Sequence, residues 1–267
     1  MTEKTGFIQA KEINSRLHGA GGCFRVETYE TVDSTNAIAR ERAADGEPEG
    51  LVVIASAQTA GRGRKGRSFF SPESTGIYMS LLLRPQIAAE LALRITTVAA
   101  VSVCQAIEKL SSRRPGIKWV NDIFIDGRKV CGILTETALA VGGRLEYAVL
   151  GIGVNALEPE GGFPDDIRDI AGSVFAADEG DRRAQLAAEI ISCFAENYAQ
   201  LADSSYAEEY RRRCIVPGSR VMVLRPDGTR EADALDVDDE CRLLVRYDDG
   251  TEELLYSGEI SIKLNRD

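Results

Sequence analysis

The order of apolar and polar positions divides the chain into recognisable elements. Ile8 to Leu17 has the spacing of a short helix, and His18 to Gly22 reads as a glycine-rich loop. Phe24 to Tyr29 alternates as a strand. Asp33 or Ser34 can cap a helix running to Ala44, its side-chain oxygen taking a free N–H of the first turn. Leu51 to Ala57 is an apolar, β-branched run, the pattern of a buried strand, and Gly76 to Leu83 is a second one, ended by Arg84-Pro85. Between them, Gln58 to Ser71 has no apolar period and reads as a long loop. Ala88 to Leu110 predicts a buried helix. Gly116 to Val120 and Asp122 to Ile125 read as strand pieces. Asp126-Gly127 is a hairpin turn, because both residues tolerate positive φ, and Arg128 to Glu136 is the returning strand. A second turn at Gly142-Gly143 leads into Leu145 to Val154. Helical patterns follow at Arg183 to Leu201 and Ser204 to Cys214. After Pro217-Gly218 come short strands with turns at Pro226-Asp227-Gly228 and Asp248-Asp249-Gly250, the pattern of a small all-β module. The element order lacks regular βαβ alternation, so the prediction is an α+β fold with a mixed sheet, followed by a compact barrel-like domain.

Composition narrows the function classes. The 267 residues carry a formal net charge of −10, which argues against a dedicated nucleic-acid binder, because such a protein must neutralise phosphates. Six scattered cysteines with no CxxC pair, and one histidine, His18, argue against a zinc site or a disulfide framework; six buried reduced thiols are expected. A lone histidine in a glycine-rich stretch also argues against a Ser-His-Asp hydrolase. No stretch approaches the ~20 apolar residues of a membrane span, and Met1 to Gly22 has no apolar run of a signal peptide. A cytoplasmic protein is expected.

Five segments carry candidate chemistry. In Gln58-Thr-Ala-Gly61-Arg62-Gly63-Arg64-Lys65-Gly66-Arg67, four cations fall within six residues and alternate with glycines. Glycine lets backbone approach a ligand, and arginine's planar fork suits carboxylate and phosphate alike. A solvated basic loop explains the composition equally well. It is not a Walker A loop, since Arg67 stands where a lysine is required. In Lys118-Trp119-Val120-Asn121-Asp122, the last two residues offer adjacent hard oxygens of the kind that suit Mg²⁺ already bridged to phosphates, although a strand-end turn needs nothing more. Trp119 is read as core packing. Lys129 lies just past the hairpin turn, and Gly132 interrupts the following strand, where glycine weakens a sheet unless something approaches closely. Asp33-Ser34-Thr35-Asn36 puts more polar groups at a helix start than capping uses. Leu150-Gly151-Ile152-Gly153-Val154-Asn155 has two glycines in an apolar strand.

Together these segments resemble the biotin–protein ligase family from about Phe24 to Lys263; GRGRKGR and KWVNDIFIDGRKVCGIL are the specific parts, and SGEIS, Ser257 to Ser261, is similar to the family's closing segment. The family usually has proline where Val120 stands, a departure expected to alter the local turn. The resemblance implies a class II synthetase-like α+β catalytic domain over residues 1–215, with 1–22 as an extension, and a C-terminal SH3-like domain over 216–267. It implies that Ser34, Thr35, Asn36 and Gln58 hold the ureido end of biotin and nearby parts. Gly61, Arg62, Gly63 and Arg64 belong to a loop that folds over biotin and its adenylate, with Arg64 retaining the activated intermediate. Lys118, Asn121 and Asp122 match the nucleotide-phosphate and metal region, to which Arg67 and Asn155 are added for ATP. Lys129 matches the lysine at the biotin carboxylate and the phosphate, and Gly132 with Gly151–Asn155 matches the pocket floor.

The implied activity is biotin–protein ligation: ATP and Mg²⁺ convert biotin to biotinyl-5′-AMP, and a lysine of a biotin carboxyl carrier domain takes the biotinyl group. Many bacterial members carry an N-terminal winged helix-turn-helix and repress transcription; residues 1–22 are too few for one, so no DNA binding is expected. Pairing of apolar strands leaves a homodimer open. The rival within the fold, a lipoate or octanoate ligase, is expected to show an Arg-Arg-x-Ser-Gly-Gly-Gly type motif, absent here. A nucleic-acid binder using the Arg/Gly loop and a non-catalytic biotin-binding protein are the rivals of other classes.

Overall fold

The computed structural model describes residues 6–203, 205–225, 228–256 and 259–262. The elements run α1 Ala10–Asn14, β1 Arg25–Val32, α2 Thr35–Ala44, β2 Leu51–Gln58, β3 Gly76–Leu83, α3 Leu93–Leu110, β4 Gly116–Lys118, β5 Asp122–Ile125, β6 Arg128–Leu139, β7 Leu145–Asn155, α4 Arg183–Tyr198 and α5 Tyr206–Arg213. Then follow β8 Arg220–Arg225, β9 Gly228–Val237, β10 Leu243–Tyr247, β11 Glu252–Leu255 and β12 Glu259–Ile262. The first sheet has the order β1-β2-β3-β7-β6-β5-β4; β1 and β2 are parallel and the other pairs antiparallel, so the expected mixed sheet is present. The second sheet, β11-β10-β9-β8-β12, is antiparallel throughout.

Strand alternation assigns the two faces of the first sheet. On one face Val52, Ile54, Ile77, Met79, Leu81, Ile133 and Ile152 join the main core with α3 and α4. On the other, Leu51, Val53, Leu82 and Val149 pack against Ala39 and Ala43 of α2. α2 covers only part of this second face, and the remainder holds the candidate site.

Some expectations need correction. The first helix is shorter than Ile8–Leu17. The long helix is broken after a 3₁₀ turn at Ala89–Leu91 and continues as α3. Ala89–Leu110 is in fact long and apolar enough to cross a membrane by length and composition, but most of it is buried as the central core helix. The six cysteines are free, as expected, yet Cys23 is exposed and Cys214 only half-buried. The turn Asp126-Gly127 does take positive φ at both residues, 50° and 75°. Pro226 and Asp227 of one expected turn, and Ser257 and Gly258 of the closing segment, lie outside the described residues.

Candidate active site on the open face of the sheet

Register builds the site. Tyr78 pairs with Gly153 and Ser80 with Gly151 across β3 and β7; Gly132 pairs with Gly153 and Leu134 with Gly151 across β6 and β7; Asp122 pairs with Gly132 across β5 and β6. These positions alternate with the core residues, so they share the face that α2 leaves partly open. Three of them are glycine, which opens a depression in the middle of the sheet. The ring of Phe69 descends into it: a Cβ at Gly153 would lie 2.7 Å from that ring, and one at Gly132 would lie 3.3 Å from it.

Lys129 reaches this face by an irregularity. Lys129 and Gly132 are an odd number of residues apart and should point to opposite faces. The β5–β6 register shifts between them, with Phe124 opposite Lys129 and Ile123 opposite Cys131, leaving Val130 as the extra residue of a bulge. The Lys129 side chain therefore turns to the glycine face. Its Nζ is 2.8 Å from Asp122 Oδ1. Cys131, on the opposite face, is buried, and burial pushes its thiol well above the ordinary range, so it is no nucleophile for the site.

At the other end, the start of α2 supplies a polar rim. Ser34 is the N-cap residue with extended backbone, but its side chain makes no capping bond; it lines the cavity instead. Gln58 Oε1 accepts from the Thr35 backbone N–H at 2.9 Å and faces Thr35 Oγ1 at 3.2 Å, while its Nε2 donates to Ser71 Oγ at 3.0 Å. Ser80 Oγ lies 2.7 Å from Thr35 Oγ1 and 2.6 Å from Asn36 Oδ1. Asn36 Nδ2 donates to Glu136 Oε2 at 2.8 Å, and Glu136 also faces Arg40 at 3.3 Å and Arg62 at 4.0 Å. Apart from Arg62, which is exposed, these groups are buried or half-buried, where unpaired polar atoms are costly, so they form a fixed array.

The Arg/Gly loop closes over the depression as a narrow hairpin. Gln58 N–H donates to Ser71 O at 3.1 Å, Phe69 N–H to Gly61 O at 2.9 Å, and Gly63 N–H to Arg67 O at 2.7 Å. Gly61 has no room for a side chain: a Cβ would lie 2.6 Å from both Phe69 O and Ser71 Oγ. Arg64 Nη1 donates to Asn121 Oδ1 at 3.0 Å, joining the loop to the Lys118–Asp122 block. Asn121 Nδ2 in turn donates to Asp122 Oδ1 at 3.1 Å and to Ile133 O at 2.9 Å.

Two adjoining cavities result. The first is lined by Ser34, Thr35, Asn36, Gln58, Arg62, Tyr78, Gly132, Gly151 and Gly153 among others. The second is lined by Arg67, Ser68, Lys118, Trp119, Leu224 and Ile260. Gly63, Arg64, Phe69, Asn121, Asp122 and Lys129 line both. Leu224 and Ile260 come from the second sheet, which is seated against the first domain by Trp119: its Nε1 donates to Cys241 O at 2.9 Å. Trp119 is buried, as core packing predicts; the Trp119–Val120 peptide is cis. Lys118 Nζ lies 5.6 Å from the centre of the Phe124 ring.

The expected residues thus converge, with two exceptions. Gly61 is buried beneath the loop and does not line the cavities, and Asn155 stands behind Lys129, its Nδ2 3.5 Å from Lys129 O. Sequence reasoning passed over Phe69, Ser71, Tyr78, Ser80 and Glu136. For Phe69 the aromatic pair ending the Arg/Gly loop was a signal, and for Glu136 a charge inside a strand; the serines gave none. Burial pushes the Tyr78 hydroxyl above its usual range, so it stays neutral and donates to Pro72 O at 2.9 Å. For a metal, Asp122 is the one carboxylate of the pair, with Oδ1 held by Lys129 and Asn121, and Asn121 Oδ1 is held by Arg64. No cluster of three or more His, Cys, Asp or Glu side chains occurs among the described residues. This donor set fits a magnesium ion that arrives on phosphates, not one caged by protein.

Comparison with known proteins agrees with this geometry. Residues 28–155 match the Biotin/lipoate A/B protein ligase family, and residues 218–263 match the Biotin protein ligase C terminal domain. The chain is 36% identical to the Bifunctional ligase/repressor BirA of Bacillus subtilis, over 98% of this chain and 81% of that protein. It is 32% identical to the Biotin--[acetyl-CoA-carboxylase] ligase of Mycobacterium tuberculosis, over 88% of this chain and 89% of that one. The solved biotin protein ligase of Aquifex aeolicus in complex with biotin and ATP superposes with a TM-score of 0.71 at 25% identity, covering 89% of this chain and 98% of that chain. The chain belongs to the biotin/lipoate protein ligase family, and within it to the biotin protein ligases.

Proposed function

We propose that this protein activates biotin with ATP and transfers the biotinyl group to a lysine of a biotin carboxyl carrier domain. The observation that carries the reading is the shared wall of the two cavities, which holds both Arg64 and Lys129. A carboxylate attacking an α-phosphate is an anion meeting an anion, and catalysis needs positive charge and alignment between two bound reactants. Two cations on the common wall meet that need.

Biotin lies in the first cavity, its ring system beside the Phe69 ring that rests on the glycine floor and its ureido group toward Ser34, Thr35 and Gln58. Its carboxylate points to Lys129. ATP occupies the second cavity, with Arg67, Lys118 and Asn121 toward its phosphates. Magnesium bound with the phosphates would be held by Asp122 beside Asn121 and would supply further neutralisation of charge. A carboxylate oxygen bonds to the α-phosphorus and diphosphate leaves. The acceptor amine then bonds to the carbonyl carbon, the carbon–oxygen bond of the mixed anhydride breaks, and AMP leaves. No side-chain nucleophile is needed. Arg64, spanning both cavities and hydrogen-bonded to Asn121, holds the loop over the intermediate and keeps water away.

The catalytic part is assigned to residues up to about 215 and the SH3-like part to the rest, the latter closing the nucleotide cavity through Leu224 and Ile260. A cytoplasmic location fits the free cysteines, and the net charge of −10 supports a ligase without a DNA-binding role. The test is incubation with ATP, labelled biotin and a purified carrier domain. Label on the carrier lysine supports the reading; biotinyl-AMP without transfer would confine the activity to the first half-reaction.

A further inference from the structure

We propose that Arg128 is a positioning residue for Lys129, acting through the irregular segment 168–172; the inference rests on the reading that Lys129 works in adenylate formation. The bulge that turns Lys129 to the glycine face also takes its backbone out of register with β7, whose last pairing is Val154 with Cys131 by way of this strand end. The Lys129 backbone pairs with the 168–172 segment instead. Its N–H donates to Ile170 O at 2.7 Å, and its carbonyl accepts from Gly172 N–H at 2.9 Å, a parallel bridge to Ala171. Just past the segment, Val174 N–H donates to Asn155 O and Phe175 N–H to Ala156 O, each at 2.9 Å, so it is tied to the sheet on its C-terminal side, and the side before the bridge needs an anchor of its own.

Arg128 supplies it. Its Nη1 donates to Arg168 O at 3.1 Å and to Ala171 O at 3.4 Å, so one guanidinium holds the segment just before the Lys129 bridge and at its central residue. Charge-assisted bonds of this kind are stronger than neutral ones. The fit is close: a Cβ on Gly172 would lie 2.8 Å from Arg128 Cβ, so the segment can approach only because that residue is glycine. Arg128 itself is exposed at the hairpin tip and touches neither cavity. Loss of the anchor frees the bulge to relax, and Lys129 Nζ then loses its fixed place beside Asp122.

The experiment measures biotin-dependent ATP–diphosphate exchange and melting temperature for Arg128→Gln, Arg128→Lys, Gly172→Val and Lys129→Ala beside the wild type. Misplacement of a reacting group by about 1 Å costs on the order of a hundredfold. Arg128→Gln is expected to lower kcat by about ten- to a hundredfold, with KM for biotin within about threefold. Arg128→Lys, which keeps a cationic donor, should recover part of the loss, and Gly172→Val should reproduce it. Full kcat in folded Arg128→Gln while Lys129→Ala is inactive overturns the positioning role and leaves the function standing. Loss of kcat, KM and melting temperature together overturns it as well, because that pattern is general destabilisation. Full exchange by Lys129→Ala would instead remove the reading beneath it.

Discussion

Arg64 donates to Asn121 Oδ1 across 3.0 Å, and that bond joins the tip of the Arg/Gly loop to the block that also holds Asp122. The Arg64→Gly variant removes it and adds backbone freedom next to Gly63 and Gly66. It should still form biotinyl-AMP but release it, seen as free adenylate in the filtrate and as label on lysines of bystander proteins. Retention of the adenylate at the wild-type level would contradict the role given to Arg64.

Lys129 is held at Asp122 by a half-buried ion pair of 2.8 Å, above a floor with no side chain at Gly132. Removing a preorganised cation from such a site costs about 10²–10³ in kcat. Lys129→Ala is expected to lose exchange activity on that scale while circular dichroism stays unchanged. A purified, folded variant with full rate would show that Lys129 is not in the reaction.

Gly153 tests the geometry of the floor. A methyl there falls 2.7 Å from the Phe69 ring, so Gly153→Ala must displace that ring and with it the end of the loop. The expected result is a biotin KM raised by about tenfold or more, of the order of the one to three kcal/mol that overpacking costs. Adding Phe69→Leu should recover part of the loss, whereas additive damage in the double variant would mean that the two residues do not meet.

The sequence made most of this frame legible. Gly76–Leu83 is a strand at the expected bounds, and Asp126-Gly127 turns as their tolerance of positive φ predicts. The motif residues Arg64, Lys118, Asn121, Asp122 and Lys129 do gather on one wall or its edge. What could not be read was how they gather. Lys129 should point away from Gly132 by strand period, and the bulge that reverses it leaves no mark in composition. Ser34 looked like a helix cap and makes no capping bond, because its side chain faces the cavity. Ser80 and Glu136 act through partners distant in sequence, Asn36 and Thr35 among them, so no local pattern announces them.

Stability carries a pH signature away from the site. The hydrogen bond from Arg212, then that from Arg213, holds the Glu209 carboxyl down to about 2, against its own partial burial, from an ordinary 4.5. A depressed carboxyl contributes stability that is fully present above the unfolded value and is lost as pH falls toward the folded one. Wild type should therefore melt above Glu209→Gln at pH 6, with the gap shrinking between about pH 4.5 and 2. A gap that holds constant down to pH 2 would show that this carboxylate contributes nothing through its charge.

The most direct test of the central claim is ATP–diphosphate exchange by the purified protein with magnesium, run with biotin, with lipoate and with no acid. A cavity built from Ser34, Thr35 and Gln58 at one end and Lys129 at the other predicts exchange that depends on biotin and is absent with lipoate or alone. Exchange with lipoate would keep the adenylation chemistry and contradict the substrate, and a folded protein that exchanges with neither would contradict the account itself.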